Sequence, residues 1–349
     1  MIYFDVTKAA GARHRSGLLR VSARLREELG PRAMPVVWRS GWRNATTRIA
    51  VTFQTADWLV TPELFSEAER PGFWKFLQAP GCRLAAIFHD AIPLKFPQIT
   101  WPQSVARHPE YMKMLARFDR VWAVSKTSLA ELVRFWTWQG AEVRASAEVI
   151  TLGADFQAGL ARGAPSSGSA SSESPVLLSV GIIEPRKNQS LLADVAEVLA
   201  RERLSFQLNV LGRVNPHFGR PIEERLREIA RNHPQLRVHT DANDVRMLKL
   251  WRTARATVFP TLTEGCGLPL LESLWMGVPC ICSDLPVLRE TGEGGGCAFV
   301  PVNDEAAWVT ALRRLLLDQP YAARLREEAI SRVLPTWRQA ADWLISTLT

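Results

Sequence analysis

The sequence has no long apolar run and few cysteines, and both absences narrow the class of protein. No stretch of about 20 uncharged apolar residues occurs in its 349 residues, so no segment is predicted to span a membrane. Asp5 interrupts the apolar start where a secretory signal needs an apolar core, and we therefore expect a cytoplasmic protein. The five cysteines are scattered and odd in number, which argues against a disulfide framework.

Two of these cysteines, Cys280 and Cys282, alternate along an apparent strand without two further metal ligands beside them. A free cysteine packs as a small apolar residue, so both are predicted to lie in a core. No metal site is predicted anywhere in the chain.

Positive charge is concentrated near the start of the chain. The formal net charge is +8, and the first 50 residues alone hold 10 Lys plus Arg against 3 Asp plus Glu, a local charge of +7. A basic surface attracts anionic partners, of which nucleic acid and anionic lipid are the obvious ones. A merely solvated surface explains the same charge, so this pattern alone leaves the question open.

A stretch rich in serine and glycine, residues 163–175, divides the chain into two halves. Such a composition predicts a flexible linker between domains 1–162 and 176–334, and residues 335–349 read as a last helix. Each half alternates apolar strand-like runs with helical patterns, which predicts parallel α/β sheets. Strands are predicted at 2–6, 50–52, 85–88, 121–124 and 148–151, then at 176–180, 206–211, 236–239, 256–259, 280–282 and 298–300.

The segment from Glu264 to Glu272 predicts a ligand-binding loop. It follows an apolar strand and reads as a glycine loop, with Gly265 and Gly267, that leads into a helix. Glycines let the backbone approach a ligand, and a helix start suits a phosphate. We place Glu264 in the loop and Glu272 in the first helical turn, where carboxylates can accept hydrogen bonds from sugar hydroxyls.

A second loop with phosphate-binding character opens the second half. A strand leads into Gly181, and an adjacent Arg186 and Lys187 follow at a helix start. Arginine chelates phosphate oxygens with its planar fork, while lysine supplies a compact charge. Gly212 ends the next strand, where it serves either a ligand or a purely structural turn.

Taken together, the glutamate pair, the intervening Gly-Cys-Gly-Leu-Pro and the Arg-Lys pair resemble the family-four retaining glycosyltransferases of the GT-B fold. His89-Asp90 followed by Ile92-Pro93-Leu94 is similar to their mannosyl- and rhamnosyltransferase subset. The resemblance implies two Rossmann-like parallel-sheet domains facing across a cleft, with the last helix crossing back to the N-terminal domain.

The resemblance also implies roles for individual residues. Arg186 and Lys187 would hold the donor diphosphate in place of a metal, Glu264 the sugar hydroxyls, Glu272 the ribose, and His89 would face the sugar. Further substrate-binding positions are Gly17, Gly181, Gly212, Gly265, Cys266, Gly267 and Leu268. No cofactor is expected, and the co-substrate is a nucleotide diphosphate sugar, with GDP favoured and UDP next.

The implied reaction is transfer of a hexose, mannose-like by preference, to a glycan or lipid-linked acceptor in bacterial surface polysaccharide synthesis. Lipopolysaccharide is one such product, and attachment to the inner face of the plasma membrane would fit it. One alternative is another GT-B enzyme that acts on a nucleotide sugar with a soluble acceptor. A weaker one is a basic nucleic-acid-binding protein, for which no helix-turn-helix, zinc or aromatic RNA signature is present.

Overall fold

The chain forms two compact units. A computed structural model describes residues 1–11, 17–155, 162–163, 174–241 and 244–348. The first unit consists of Met1–Gly153 with Pro335–Thr349, and the second of Ala154–Leu334. Most of the predicted linker, residues 164–173, lies outside the described residues.

The predicted domain boundary at residue 162 falls within the second unit. Arg162 Nη2 donates to the carbonyl oxygen of Ala329 (3.2 Å), and Gly163 N donates to that of Trp275 (3.3 Å). The Arg162 guanidinium also lies 5.9 Å from the centre of the Trp275 ring. These contacts attach the segment to the second unit, and a composition shift alone does not reveal them.

The first unit is built on a seven-stranded sheet in the order β3-β2-β1-β4-β5-β6-β7, and β3 pairs antiparallel with β2 while the other pairs are parallel. Its strands are β1 (Ile2–Asp5), β2 (Met34–Trp38), β3 (Trp42–Asn44), β4 (Trp58–Thr61), β5 (Arg83–Phe88), β6 (Arg120–Ala123) and β7 (Ser146–Val149). Its helices are α1 (Gly17–Leu29), α2 (Phe73–Gln78), α3 (Ile92–Lys95), α4 (Pro102–Leu115) and α5 (Lys126–Trp138).

The last helix completes the first unit, as the resemblance implies for the GT-B fold. This helix, which spans Trp337–Leu348, packs against α1. Arg32, just after α1, forms an ion pair with Asp342, and the Trp343 ring lies edge-on to the buried Trp122 ring at 6.0 Å. The apolar face of this helix, with Trp337, Ala341 and Leu344 buried, explains why the chain returns here.

The second unit contains a six-stranded, fully parallel sheet in the order β10-β9-β8-β11-β12-β13. Its strands are β8 (Val176–Val180), β9 (Gln207–Leu211), β10 (Leu236–His239), β11 (Ala254–Phe259), β12 (Cys280–Ser283) and β13 (Cys297–Val300). Its helices are α6 (Gln189–Arg201), α7 (Arg220–Asn232), α8 (Asp244–Thr253), α9 (Leu268–Trp275), α10 (Pro286–Gly292), α11 (Glu305–Leu317) and α12 (Gln319–Ser331). The last helix, Trp337–Leu348 of the first unit, is α13.

Both sheets pack against apolar cores. The apolar sequence runs from which strands were predicted contribute residues to these cores. Cys280 and Cys282 are fully buried in the second unit, as predicted, and all five cysteines are free thiols. Among the residues that the structure describes, no helix has the length and apolarity needed to cross a membrane.

The predicted strand at 50–52 is wrong. Only Ala50 forms an isolated bridge, to Arg43, and most of this stretch is exposed. The strands of this region are β2, β3 and β4, which were not predicted. Pro35 within β2 conceals it, because proline disfavours a central strand, and β3 has only three residues.

Candidate functional site

Two loops of the second unit meet at a single carboxylate oxygen. Glu264 Oε1 accepts hydrogen bonds from Arg186 Nη1 (2.8 Å), Lys187 Nζ (2.6 Å) and Thr261 Oγ1 (2.7 Å). Arg186 and Lys187 follow β8 on a short 3-10 turn, Pro185–Lys187, and Thr261 and Glu264 follow β11. Because β8 and β11 are neighbouring parallel strands, their carboxyl ends bring these side chains together at one edge of the sheet.

The Arg186 guanidinium is held on its other edge by a second carboxylate. Glu184 Oε1 accepts from Arg186 Nε (3.1 Å) and Nη2 (2.9 Å), while Glu184 Oε2 accepts from Asn215 Nδ2 (2.9 Å). Two carboxylates and two cations therefore form one cluster, Glu184, Arg186, Lys187 and Glu264, whose formal charges cancel.

Burial and the neighbouring charges act together on the pKa values of this cluster. Burial raises the pKa of Glu264, but the charges of Arg186 and Lys187 outweigh it and hold that pKa below its usual range. Burial, together with the neighbouring Arg186, lowers the pKa of Lys187. The Lys187 ammonium also lies 4.7 Å from the centre of the Phe259 ring, so its surroundings are apolar apart from its ionic partners.

Gly181 and Gly212 allow two backbone segments to approach closely beside this cluster. A Cβ on Gly212 would lie 1.8 Å from the carbonyl oxygen of Gly181, so no other residue fits at position 212. Packing therefore requires glycine at this position, and the predicted ligand contact of Gly212 stays a prediction. Gly181 packs against the Lys187 side chain. A Cβ added at position 181 would lie 3.5 Å from Lys187 Cε.

The glycine loop leads into α9 as predicted. Gly267 adopts a left-handed conformation (φ 81°) at the helix start, and an added Cβ would lie 2.5 Å from Leu288 Cδ2. Cys266 lies in the same loop, and burial raises the pKa of its thiol to about 12. Gly265 is buried, and Leu268 begins the helix.

Glu272 lies on α9, but not in its first turn. The helix begins at Leu268 and contains no acidic residue in its first turn, which corrects the placement expected from the sequence. Glu272 is only 4% exposed. Its carboxylate therefore belongs to the inner face of the helix, further from the helix start than the pattern suggested.

Residues 165–332 match the protein family described as "Glycosyl transferases group 1". The chain is 28% identical over 304 residues, 82% of its length, to the serotype-specific mannosyltransferase WbdA of Escherichia coli. The matched region with the phosphate-compatible loops falls within the second unit.

The second unit is a group 1 glycosyltransferase domain.

Solved structures show that its fold is GT-B. The sucrose-phosphate synthase of Thermosynechococcus elongatus aligns with a TM-score of 0.71 at 17% identity, covering 99% of this chain and 97% of that one. HepE of Anabaena, solved with UDP and glucose, aligns with a TM-score of 0.70 at 16% identity, covering 99% and 98%. The chain spans about a third (35%) of the length of its E. coli relative.

In the first unit, His89 follows β5 and is buried. Its Nε2 donates to the carbonyl oxygen of Pro62 (2.7 Å), and its own carbonyl accepts from Ser128 Oγ (2.8 Å). Burial lowers the pKa of His89, so the ring is neutral at pH 7, with the proton on Nε2 and Nδ1 as an acceptor. The predicted contact of His89 with the sugar stays a prediction.

A buried ionic cluster lies at the carboxyl ends of β1 and β4, and the sequence did not reveal it. Arg70 Nη2 pairs with Asp5 Oδ2 (2.6 Å) and with Glu63 Oε2 (3.1 Å), and all three side chains are at most 2% exposed. Glu63 also accepts hydrogen bonds from the backbone N–H groups of Lys8 and Ala9 at 2.8–2.9 Å. Burial raises the pKa of Glu63 to about 7, and the charge of Asp5 adds to this effect.

This cluster fixes the backbone that leads from β1 toward α1. In the loop between them, residues 12–16 lie outside the described residues. Gly17, the predicted binding residue of this loop, is exposed at the first position of α1.

The basic N-terminal segment is only partly available to a partner. Arg24 is 7% exposed and pairs with Glu27 and Glu28, so it cannot form part of an anion-binding surface. Arg26 donates to the carbonyl oxygen of Gly30. Three exposed arginines form no ion pair with any residue that the structure describes, and they lie around the β2–β3 hairpin: Arg39, Arg43 and Arg48.

Proposed function

We propose that this chain transfers a hexose from a nucleotide diphosphate sugar to a glycan or lipid-linked acceptor, with retention at the anomeric carbon. The observation that carries the proposal is the convergence of Arg186 and Lys187 on Glu264, immediately before the Gly265–Leu268 loop. Two cations beside a glycine loop and a helix start suit a diphosphate.

The proposed roles divide the donor among these groups. Arg186 and Lys187 stabilise the negative charge that develops on the leaving diphosphate, which is the role of a metal ion in other nucleotide-sugar enzymes. The backbone from Gly265 to Leu268 contacts the phosphates. Glu264 accepts hydrogen bonds from the sugar hydroxyls, and Glu272 binds the ribose. Glu264 contacts both cations in the structure, so in the proposed complex it exchanges these contacts for hydrogen bonds from sugar hydroxyls.

Retention requires no general base on the protein. The bond between the anomeric carbon and the phosphate oxygen breaks, and the bond to the acceptor oxygen forms on the same face of the sugar. The acceptor hydroxyl transfers its proton to a leaving phosphate oxygen, so atoms and charge balance within donor and acceptor.

We propose mannose as the sugar and GDP as the nucleotide, with UDP as the second choice. The name of the E. coli relative, a serotype-specific mannosyltransferase, supports mannose as the sugar. The HepE structure, solved with UDP and glucose, is the reason to keep UDP as the alternative.

The test combines a binding screen with turnover in excess chelator. GDP, UDP, ADP and dTDP are added separately, and the melting temperature is measured, because a ligand that binds only the folded state raises it. Release of nucleoside diphosphate from the matching sugar donor is then measured in EDTA, with glycan and soluble sugar acceptors in parallel. We expect one nucleotide to stabilise the protein and turnover to persist in EDTA. Strict dependence on Mg²⁺ or Mn²⁺ would overturn metal independence, and stabilisation by no nucleotide would overturn the proposed function.

We also propose that the β2–β3 hairpin attaches the protein to an anionic membrane surface that carries the lipid-linked acceptor. Arg39, Arg43 and Arg48 supply the charge, and the neighbouring Ile49 is 69% exposed. Each basic residue near an anionic bilayer contributes about 1 kcal/mol, so three contribute about 3 kcal/mol at low salt.

Sedimentation with vesicles that contain anionic lipid tests this attachment. We expect the wild type to sediment at low salt and to be released at high salt, because screening weakens the attraction. Replacement of Arg39, Arg43 and Arg48 by Gln should abolish sedimentation. The matched control replaces three exposed arginines of the second unit, Arg220, Arg227 and Arg324, by Gln and should sediment as the wild type does. A wild type that does not sediment with the vesicles would favour a soluble acceptor. A control that loses sedimentation as the hairpin variant does would contradict the assignment of the attachment to the hairpin.

A further inference from the structure

Glu184 holds Arg186 in a fixed orientation, although no function was predicted for it. The Glu184 side chain is 15% exposed and accepts from both Nε and Nη2 of Arg186. Nη1 of the same guanidinium donates to Glu264 Oε1 and to the carbonyl oxygen of Thr263 (3.2 Å). A planar guanidinium held on two edges by three groups has little rotational freedom.

Asn215 holds Glu184 in turn. Its Oδ1 accepts from the backbone N–H groups of His217 (2.9 Å) and Phe218 (3.3 Å), so the amide can only present Nδ2 to Glu184. The backbone of Asn215 is fixed as well, because its N–H donates to the carbonyl oxygen of Ile183 (3.0 Å). A chain of hydrogen bonds thus runs from the loop after β9 to Arg186.

The charges of the cluster show what this arrangement does when a diphosphate binds. Glu184 and Glu264 neutralise Arg186 and Lys187, so the incoming diphosphate must take over contacts that a carboxylate now makes. Glu264 contacts both cations with one oxygen, whereas Glu184 grips only the Nε–Nη2 edge of Arg186. Exchange at Glu264 would release both cations to the ligand and leave Arg186 still oriented by Glu184.

We propose that Glu184 is a positioning residue, which Asn215 orients and which aims Arg186 at the diphosphate while Glu264 exchanges. This inference rests on the proposed function, because it assigns Arg186 to the donor diphosphate. It separates the two carboxylates: Glu264 belongs to the ligand-exchanging side of the cluster, and Glu184 to its supporting side.

The test is the Glu184→Gln variant, examined by turnover, nucleotide binding and thermal melting. Loss of the Glu184 charge leaves the cluster with one excess positive charge, which favours a diphosphate, while Arg186 loses its ionic support. We expect kcat to fall at least about tenfold, the Kd for the nucleoside diphosphate to stay equal or decrease, and the melting temperature to stay near that of the wild type. A merely structural role would instead weaken binding and lower the melting temperature together with kcat.

Rescue provides the second arm. In Glu184→Gln the amide oxygen can face Arg186, but its NH₂ group then meets Nδ2 of Asn215, a donor against a donor. Adding Asn215→Asp supplies the missing acceptor and restores the lost charge, so the double variant should recover part of kcat. Glu224→Gln, an exposed glutamate on α7, is the matched control and should behave as the wild type.

The outcomes separate this inference from the proposed function. A wild type that neither binds a nucleoside diphosphate nor turns over a donor contradicts the proposed function and this inference with it. An active wild type whose kcat is unchanged by Glu184→Gln contradicts the inference alone. A decline of kcat, binding and melting temperature together, without rescue by Asn215→Asp, also contradicts it.

Discussion

Replacement of Lys187 by Met is expected to lower kcat/KM for the sugar donor by about a hundredfold or more, which corresponds to about 2.7 kcal/mol of transition-state stabilisation. Methionine preserves most of the buried stem that packs against Gly181 but removes the ammonium group. The diphosphate would then lose a buried cation that is not screened by solvent.

The measurement is steady-state turnover with the donor selected by the nucleotide screen. Lys249→Met is the matched control, because Lys249 is exposed on α8 of the same unit, and it should retain wild-type kinetics. Folding is checked by thermal melting of both variants. Wild-type kinetics in a folded Lys187→Met protein would remove Lys187 from the site.

Replacement of Arg70 by Met is expected to reduce the free energy of unfolding of the first unit by about 3–5 kcal/mol, because it leaves Asp5 and Glu63 buried without their cation. Arg70 is 1% exposed, and its guanidinium lies 5.0 Å from the centre of the Phe65 ring and 5.5 Å from that of Phe73. These aromatic contacts are lost along with the ion pairs.

The loss of unfolding free energy in Arg70→Met should grow with pH, and the direction of this dependence follows from the pKa of Glu63. Its pKa is raised in the folded state to about 7, so its contribution to stability is present at low pH and is lost as the pH rises through that value. The charge of Arg70 lowers the pKa of Glu63, so its removal raises that pKa further and makes ionisation more costly. Urea unfolding at pH 6 and pH 8 measures this difference. Arg117→Met, an exposed arginine of the same unit, is the control. An Arg70→Met protein as stable as this control at both pH values would contradict the assignment.

The second unit could be predicted closely from the sequence, because its strands are apolar runs bounded by turns. All six strands predicted in this unit are confirmed within two residues. Between residues 30 and 80 the prediction was wrong: β2 contains Pro35, and β4 is four fully buried residues whose pattern does not alternate. Short buried strands carry little periodicity, so only the assembled sheet reveals them.

At the site, the sequence identified the loops but not the pairing between them. Arg186 and Lys187 were predicted to hold the diphosphate and Glu264 the sugar hydroxyls, whereas the structure joins all three at one carboxylate oxygen. Glu264 lies 78 residues after Arg186 and 77 residues after Lys187, so the local sequence pattern cannot reveal these contacts. Asn215 was missed for the same reason, because it lies 31 residues from its partner Glu184. Glu184 was missed although its position directly before Pro185 and Arg186 was a signal.

The buried cluster of Asp5, Glu63 and Arg70 illustrates the same limit in the first unit. Asp5 entered the sequence argument only as a charge within an apolar start. Its partners come from the end of β4 and from the segment before α2, and only the parallel pairing of β1 with β4 brings them together.

Isothermal titration of GDP and of UDP into the wild type and Lys187→Met, both in excess EDTA, is the most direct test of the proposed diphosphate site. It shows whether the cluster of Arg186, Lys187 and Glu264 binds the diphosphate. We predict that the wild type binds one of the two nucleotides at one site per chain, and that Lys187→Met binds it at least about tenfold more weakly, a loss of about 1.4 kcal/mol. A wild type that binds neither nucleotide, or a folded Lys187→Met protein with wild-type affinity, would contradict the assignment of the diphosphate site to Arg186, Lys187 and Glu264.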